Sequence, residues 1–242
     1  MSIWNALFWG AFSSASLYLG QLLAGPLRGR NRATGLVMGF GAGTLLSAVA
    51  YELVPESALE KGFGVGVWLL VGALAYYVGD RLVDHRGGGD RQSIATASEG
   101  SSGAAMFVGA LLDGVPESFI LGSTIALGGG VSIAFVAAVS VSNIPQGVAG
   151  TSSLQDAGYS NRRIFGMWTA LTVACALVAV LGFAVSDAMG GAGVYAQAFA
   201  GGAVLTMLAD SMMPEAFQHG GETVGLVTVL GFLVAGALTV LQ

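Results

Sequence analysis

Asp113 and Glu117 stand four residues apart inside an apolar run, so a helix puts both carboxylates on one face. Carboxylates in hydrocarbon are costly and usually face a protein interior or a water-filled path, with a job there. Two of them this close repel in a low dielectric, and a divalent cation between them removes the conflict. Pro116 lies between the two and has no N–H, which leaves the Leu112 carbonyl without its helical partner. In the next apolar run Ser142, Asn143 and Gln146 fall on adjacent turns, and Pro145 frees the Val141 carbonyl in the same way. The pattern of acid or amide, spacers, proline and Glu or Gln recurs in Glu52-Leu-Val-Pro-Glu56 and, with one more spacer, in Asp210-Ser-Met-Met-Pro-Glu215. Acid, amide and freed carbonyl together make an oxygen-rich spot, which is what a permeating cation needs.

The elements that position these groups are membrane helices. The 242 residues are 54% hydrophobic and only 10% charged, and mean hydropathy is +0.74, the composition of a polytopic membrane protein. At about 20 residues per crossing, eight transmembrane helices are expected at about 4–25, 33–55, 63–83, 103–127, 130–152, 162–186, 193–215 and 222–241. The fold class is therefore all-α, a single transmembrane domain over 1–242 with one sizeable loop, flexible and Gly/Ser-rich, at about 84–102. Small-residue spacing such as Gly35, Gly39 and Gly43 fits closely packed membrane helices. The fourth and fifth spans are joined by little more than Gly128, Gly129 and Gly130, so they should form a tight hairpin that brings both polar faces together.

Composition also excludes. There is no basic stripe for nucleic acid, and one cysteine, Cys175, rules out an internal disulfide and a Cys-rich metal centre. The start, Met1-Ser-Ile-Trp, lacks the basic segment of a cleavable signal, so the first span is expected to be retained. Arg28, Arg30, Arg32, Arg81, Arg86, Arg91, Arg162 and Arg163 all fall on one side of an eight-span layout, with Lys61 opposite. The positive-inside rule makes that side cytoplasmic and puts both termini on the non-cytoplasmic side; the membrane expected is the plasma (inner) membrane. The second span then ends outward in Glu52 and Glu56 and the seventh inward in Asp210 and Glu215, as an inverted repeat of spans 1–3 and 6–8 in a 3+2+3 arrangement requires.

With these motifs in order, the chain resembles the ZIP (Zrt/Irt-like) family of divalent metal transporters. That family has eight helices, outside termini and a variable cytoplasmic loop after the third. Its fourth helix carries His-Asn-x-Pro-Glu-Gly and its fifth a similar run; here these read Asp113-Gly114-Val115-Pro116-Glu117-Ser118 and Ser142-Asn143-Ile144-Pro145-Gln146-Gly147. Gly41-Ala-Gly43…Glu52-Leu-Val-Pro-Glu56 and Gly201-Gly-Ala…Asp210…Pro214-Glu215 are similar to its second and seventh helices. The departures are specific: Asp113 replaces a histidine, Gly114 an asparagine, Ser142 a histidine, Gln146 a glutamate, and Cys175 aligns with a sixth-helix glutamate.

The resemblance implies a carrier moving zinc or a related ion (Mn, Fe) into the cytoplasm by alternating access, with spans 1, 4, 5 and 6 moving against the rest. The metal ligands expected are Asp113, Glu117, Ser142, Asn143, Gln146 and Cys175, with Glu52, Glu56, Asp210 and Glu215 as gate or exit acids. A mostly hard-oxygen set suits Mn²⁺, Mg²⁺ or Ca²⁺, whereas an inward Cys175 thiolate favours Zn²⁺ or Fe²⁺. Each residue also has a plainer reading: amides as interhelical glue, Ser142 bonded to its own helix, Cys175 as a small hydrophobe, the outer and inner acids as solvated helix ends. Partners expected are the bilayer, the divalent ion and a second copy in a homodimer, with no organic cofactor. A non-transporting metal sensor or membrane scaffold is the alternative. No enzyme is expected: Val78-Gly79-Asp80 is faintly similar to the Gly-Asp of intramembrane aspartyl proteases, but Asp80 sits at a span end beside arginines.

Overall fold

The computed structural model describes the backbone of residues 2–53, 62–88, 103–128 and 130–241, and the side chains of 2–51, 62–86, 107–128 and 130–241. The apolar runs fold as helix, and no strand occurs among the described residues. In chain order the helices are α1 (Ile3–Ser14), α2 (Ser16–Leu27), α3 (Asn31–Ala48), α4 (Phe63–Val83), α5 (Gly103–Ala126), α6 (Ile133–Asp156), α7 (Asn161–Met189), α8 (Gly193–Met207), α9 (Met213–Gly220) and α10 (Thr223–Val240). Turns of π-helix follow α3 at Val49–Leu53, α4 at Asp84–Gly88 and α8 at Leu208–Met212.

Local chemistry sets the ends. Ser132 Oγ accepts from the Phe135 N–H at 3.0 Å to open α6, and Ser160 Oγ accepts from Arg163 N–H at 3.4 Å to open α7. Each hydroxyl satisfies a donor that the first helical turn would otherwise leave unpaired. Gly158 and Gly190, at φ 85° and 53°, let the chain leave α6 and α7 in a conformation that side chains disfavour.

Among the described residues, five stretches are long and apolar enough to cross a membrane: Asn31–Tyr51, Phe63–Arg86, Ile133–Asp156, Asn161–Gly220 and Thr223–Val240. The count differs from eight in three places: Ala15 interrupts the first predicted span, leaving two helices of 12 residues each, the sixth and seventh lie within one stretch of 60 residues, and α5, over the fourth, is not among the five. The loop expected over 84–102 begins as a π turn through Gly88, and the rest of it lies outside the described residues.

Four helix pairs make the closest crossings: α3 with α10, α4 with α8, α5 with α7, and α2 with α6. Each crossing sets a glycine from either helix against the other's backbone. A Cβ on Gly122 would lie 1.7 Å from Ala179 O, and one on Gly182 2.2 Å from Phe119 O. Gly72 faces Phe199 O while Gly202 faces Leu69 O; Gly43 faces Thr228 O while Gly231 faces Phe40 O. Gly20 lies against Ile144 O and Gly147 against Leu17 O. Small residues bring membrane helices to backbone contact, where packing supplies the attraction. Further contacts join α1 to α7, α3 to α6 and to α9, α5 to α8, α4 to α5, and α6 to α10.

Inside these crossings Met38, Leu45, Ile120, Leu121, Phe135 and Val204 pack into one apolar cluster, and Leu17, Leu154, Ile164 and Trp168 into another. Trp168 Nε1 donates to Thr151 Oγ1 at 3.0 Å, so its polar edge is satisfied. Outward, α4 presents Leu70, Leu74 and Val78, and α10 presents Leu226, Leu230 and Leu233. Such broad apolar faces suit hydrocarbon rather than water.

Candidate functional site

Asp113 and Glu117 lie one turn apart on α5 and are 1% and 4% exposed. They are close enough for their charges to act on each other. Two donors from other helices hold Asp113. The Tyr76 hydroxyl on α4 donates to Oδ1, and Gln146 Nε2 on α6 donates to Oδ2 at 3.1 Å. The α5–α6 connection therefore does bring an acid and an amide of the two proline motifs together, across helices that are otherwise only lightly packed on each other.

Asn143, one turn before Gln146, is buried and points its amide elsewhere: Nδ2 donates to Ser13 O at 3.4 Å. That carbonyl sits where Ala15 separates α1 from α2, and it also accepts from Ser16 Oγ at 2.6 Å. Serine hydroxyls bonded back to their own helix bend it, and Ser14 Oγ does the same to Gly10 O at 3.0 Å. Ser142 gives its proton to Val139 O at 2.9 Å and backs onto Gly41 of α3. Its oxygen keeps lone pairs.

Cys175 on α7 is 1% exposed and faces α5. A Cβ on Gly114 would come within 2.8 Å of its Sγ. The Ser118 and Ser14 hydroxyls reach the thiol, and Glu117 lies near enough to act on it electrostatically. The cluster thus has an oxygen-rich side at Asp113 and a side at Glu117 with a thiol and two hydroxyls. Among the described residues, no three His, Cys, Asp or Glu side chains converge on a point that could hold a metal. A cation bound here would need amide, hydroxyl or carbonyl oxygens beside the two acids.

The expected gate acids lie apart from this cluster. Glu56 is outside the described residues, and Glu52 is described only as backbone, within the π turn after α3. Asp210, in the π turn after α8, is exposed and lines a polar cavity of about 380 Å³ with Tyr77, Asp80, Arg81, Asp84 and His85. Glu215 on α9 faces His219 Nε2 at 3.1 Å.

Tyr76, Ser13, Ser14 and Ser118 belong to the cluster but carry no site role in the sequence reading. The signal for Tyr76 is a phenol near the middle of an apolar span, which needs a partner once buried. For the serines it is the run Ser13-Ser14-Ala15-Ser16 within an apolar segment. No protein-family model matches the chain, and neither does any curated protein.

Proposed function

We propose that the chain carries a divalent metal cation, zinc or a related ion such as Mn²⁺ or Fe²⁺, into the cytoplasm by alternating access. The observation that carries this reading is the pair of buried carboxylates on α5, with a phenol from α4 and an amide from α6 on Asp113 and the Cys175 thiol of α7 near Glu117. The ion sheds part of its water onto Glu117 and Asp113, with Gln146 and Asn143 able to turn their amide oxygens inward. It then leaves towards Asp210 and Glu215. Cys175, beside Glu117, biases the choice towards softer ions.

An eight-crossing layout with an inverted repeat is part of the proposal, and the packing pattern supports it. Exchange α1–α2 with α7, α3 with α8–α9, α4 with α10, and α5 with α6. The α4–α8 crossing then becomes α10–α3, α5–α7 becomes α6–α2, α3–α6 becomes α8–α5, and α4–α5 becomes α10–α6. The glycine pairs exchange with their helices, and the π turns after α3 and α8 fall at corresponding motifs. The plasma membrane, termini outside, and a homodimer complete the reading. Uptake into proteoliposomes of Zn²⁺, Mn²⁺, Fe²⁺, Co²⁺, Cd²⁺ and Mg²⁺ tests it. Wild type should concentrate at least one, Glu117→Ala none; no flux of any ion by folded wild type refutes it.

One observation favours a second reading, a metal sensor or scaffold that moves nothing. Both Asp113 oxygens already accept hydrogen bonds from neutral donors, an arrangement that also holds helices together without an ion. Metal-dependent stabilisation without flux would select it.

A further inference from the structure

Tyr76 has no part in the transport scheme above, yet it touches the centre of it. Its ring is 3% exposed on α4, a helix that packs along α8 and touches α5 more lightly. Its hydroxyl occupies one oxygen of Asp113 while Gln146 occupies the other. A carboxylate has about four lone-pair sites, but a divalent cation on these oxygens repels the positive hydrogens of both donors. Gln146 can turn its amide and offer Oε1, remaining at the site as a ligand. The phenol has no second polar atom to turn inward, so an ion that takes Oδ1 from the phenol's side competes with its hydrogen for the same lone pair. Space for movement adjoins the ring, a cavity of about 200 Å³ lined by Leu112, Val115, Pro116, Phe199 and Ala203 as well as Tyr76.

We propose that Tyr76 is a positioning residue for the cation: its phenol holds Asp113 when the ion is absent and must release it for the ion to bind. This rests on the cation reading of the Asp113 cluster. The hydrogen bond is a competitor, so it weakens binding, and on release it re-forms and expels the ion. A carrier gains from this, because a site that binds too well does not let go.

The test uses full-length protein and Mn²⁺ as the probe. Tyr76→Phe removes one oxygen and keeps the ring. In proteoliposomes the KM for Mn²⁺ uptake should fall about tenfold, the size of one charged hydrogen bond, and kcat should fall with it. Equilibrium Mn²⁺ binding in detergent should tighten by the same factor, and the tightening should vanish in an Asp113→Asn background. A difluorinated tyrosine at position 76, a stronger donor of nearly the same shape, should move KM the opposite way even if Tyr76→Phe is poorly folded. A KM and binding constant unchanged or raised in Tyr76→Phe, or tightening that persists without Asp113, overturns the proposal. Absence of flux in wild type refutes transport alone, since the binding constants still decide the role of Tyr76.

Discussion

Asp113 and Asp210 each precede a proline and a glutamate, yet the fold gives them opposite surroundings. Asp113 sits on a regular α turn, sealed from solvent, with donors from α4 and α6 on its two oxygens. Asp210 sits on a π turn, exposed, in a cavity shared with Asp80, Arg81, Asp84 and His85. The Glu52 motif, with the same acid-to-proline spacing as Asp113, also falls on a π turn, so spacing alone does not set the turn. The difference teaches that what packs on the helix, more than the motif itself, separates a sealed carboxylate with two donors from a solvated one.

The largest effect expected from this contrast is in uptake. Asp113→Ala or Glu117→Ala should lower divalent-ion flux roughly 100-fold or more, beyond what losing an outer-shell partner costs, while Asp210→Ala should keep most of it. Equal losses in a proteoliposome assay would erase the distinction between the two acids.

Stability should come next. Gly122 lies on α5 within the α7 crossing, so Gly122→Ala forces the helices apart and should cost about 1–3 kcal/mol in detergent unfolding. Gly25→Ala on α2, with nothing within 4 Å of a new Cβ, should be neutral or up to about 1 kcal/mol more stable. A mild result at Gly122 would mean that the helix bearing Asp113 is not held as tightly as its backbone contacts imply.

Smaller still is the effect of the prolines. Pro116→Ala gives the Leu112 carbonyl its partner back and should weaken Mn²⁺ binding by a few-fold; Pro214→Ala, beside the solvated acid, should leave it unchanged. Isothermal titration would separate them. Least in size, Cys175→Ser should lower uptake of Zn²⁺ and Cd²⁺ relative to Mn²⁺ without abolishing any. An unaltered ion order would place the thiol outside the coordination shell despite its position beside Glu117.

Helical class and the approximate segments were legible because apolar runs bounded by Gly, Ser and Arg carry that information directly. The segment predicted at 130–152 is α6, begun by Ser132, and the one at 63–83 is α4. The division of the first segment at Ala15 was not legible, since Ser13, Ser14 and Ser16 act by local bonds to Gly10 O and Ser13 O that only the folded helix defines. The Asp113–Gln146 contact could be anticipated from a short connection joining two polar faces. For Tyr76 the phenol in an apolar span signals only that some partner is needed, and the partner itself, 37 positions away, was not legible. Nor was the direction of Asn143, whose amide meets a carbonyl 130 positions earlier in the chain.

The π turn at Leu208–Met212 has a consequence for length rather than chemistry. It accommodates one residue more than an α turn, so everything after it is rotated by about 100° compared with an uninterrupted helix. Deleting a single residue there would let the turn close as an ordinary α turn with Pro214, Glu215 and His219 still on the same side of the helix axis, whereas a residue deleted from the regular helix before it would swing them round by about 100°. In that stretch the chain has one residue of length to spare.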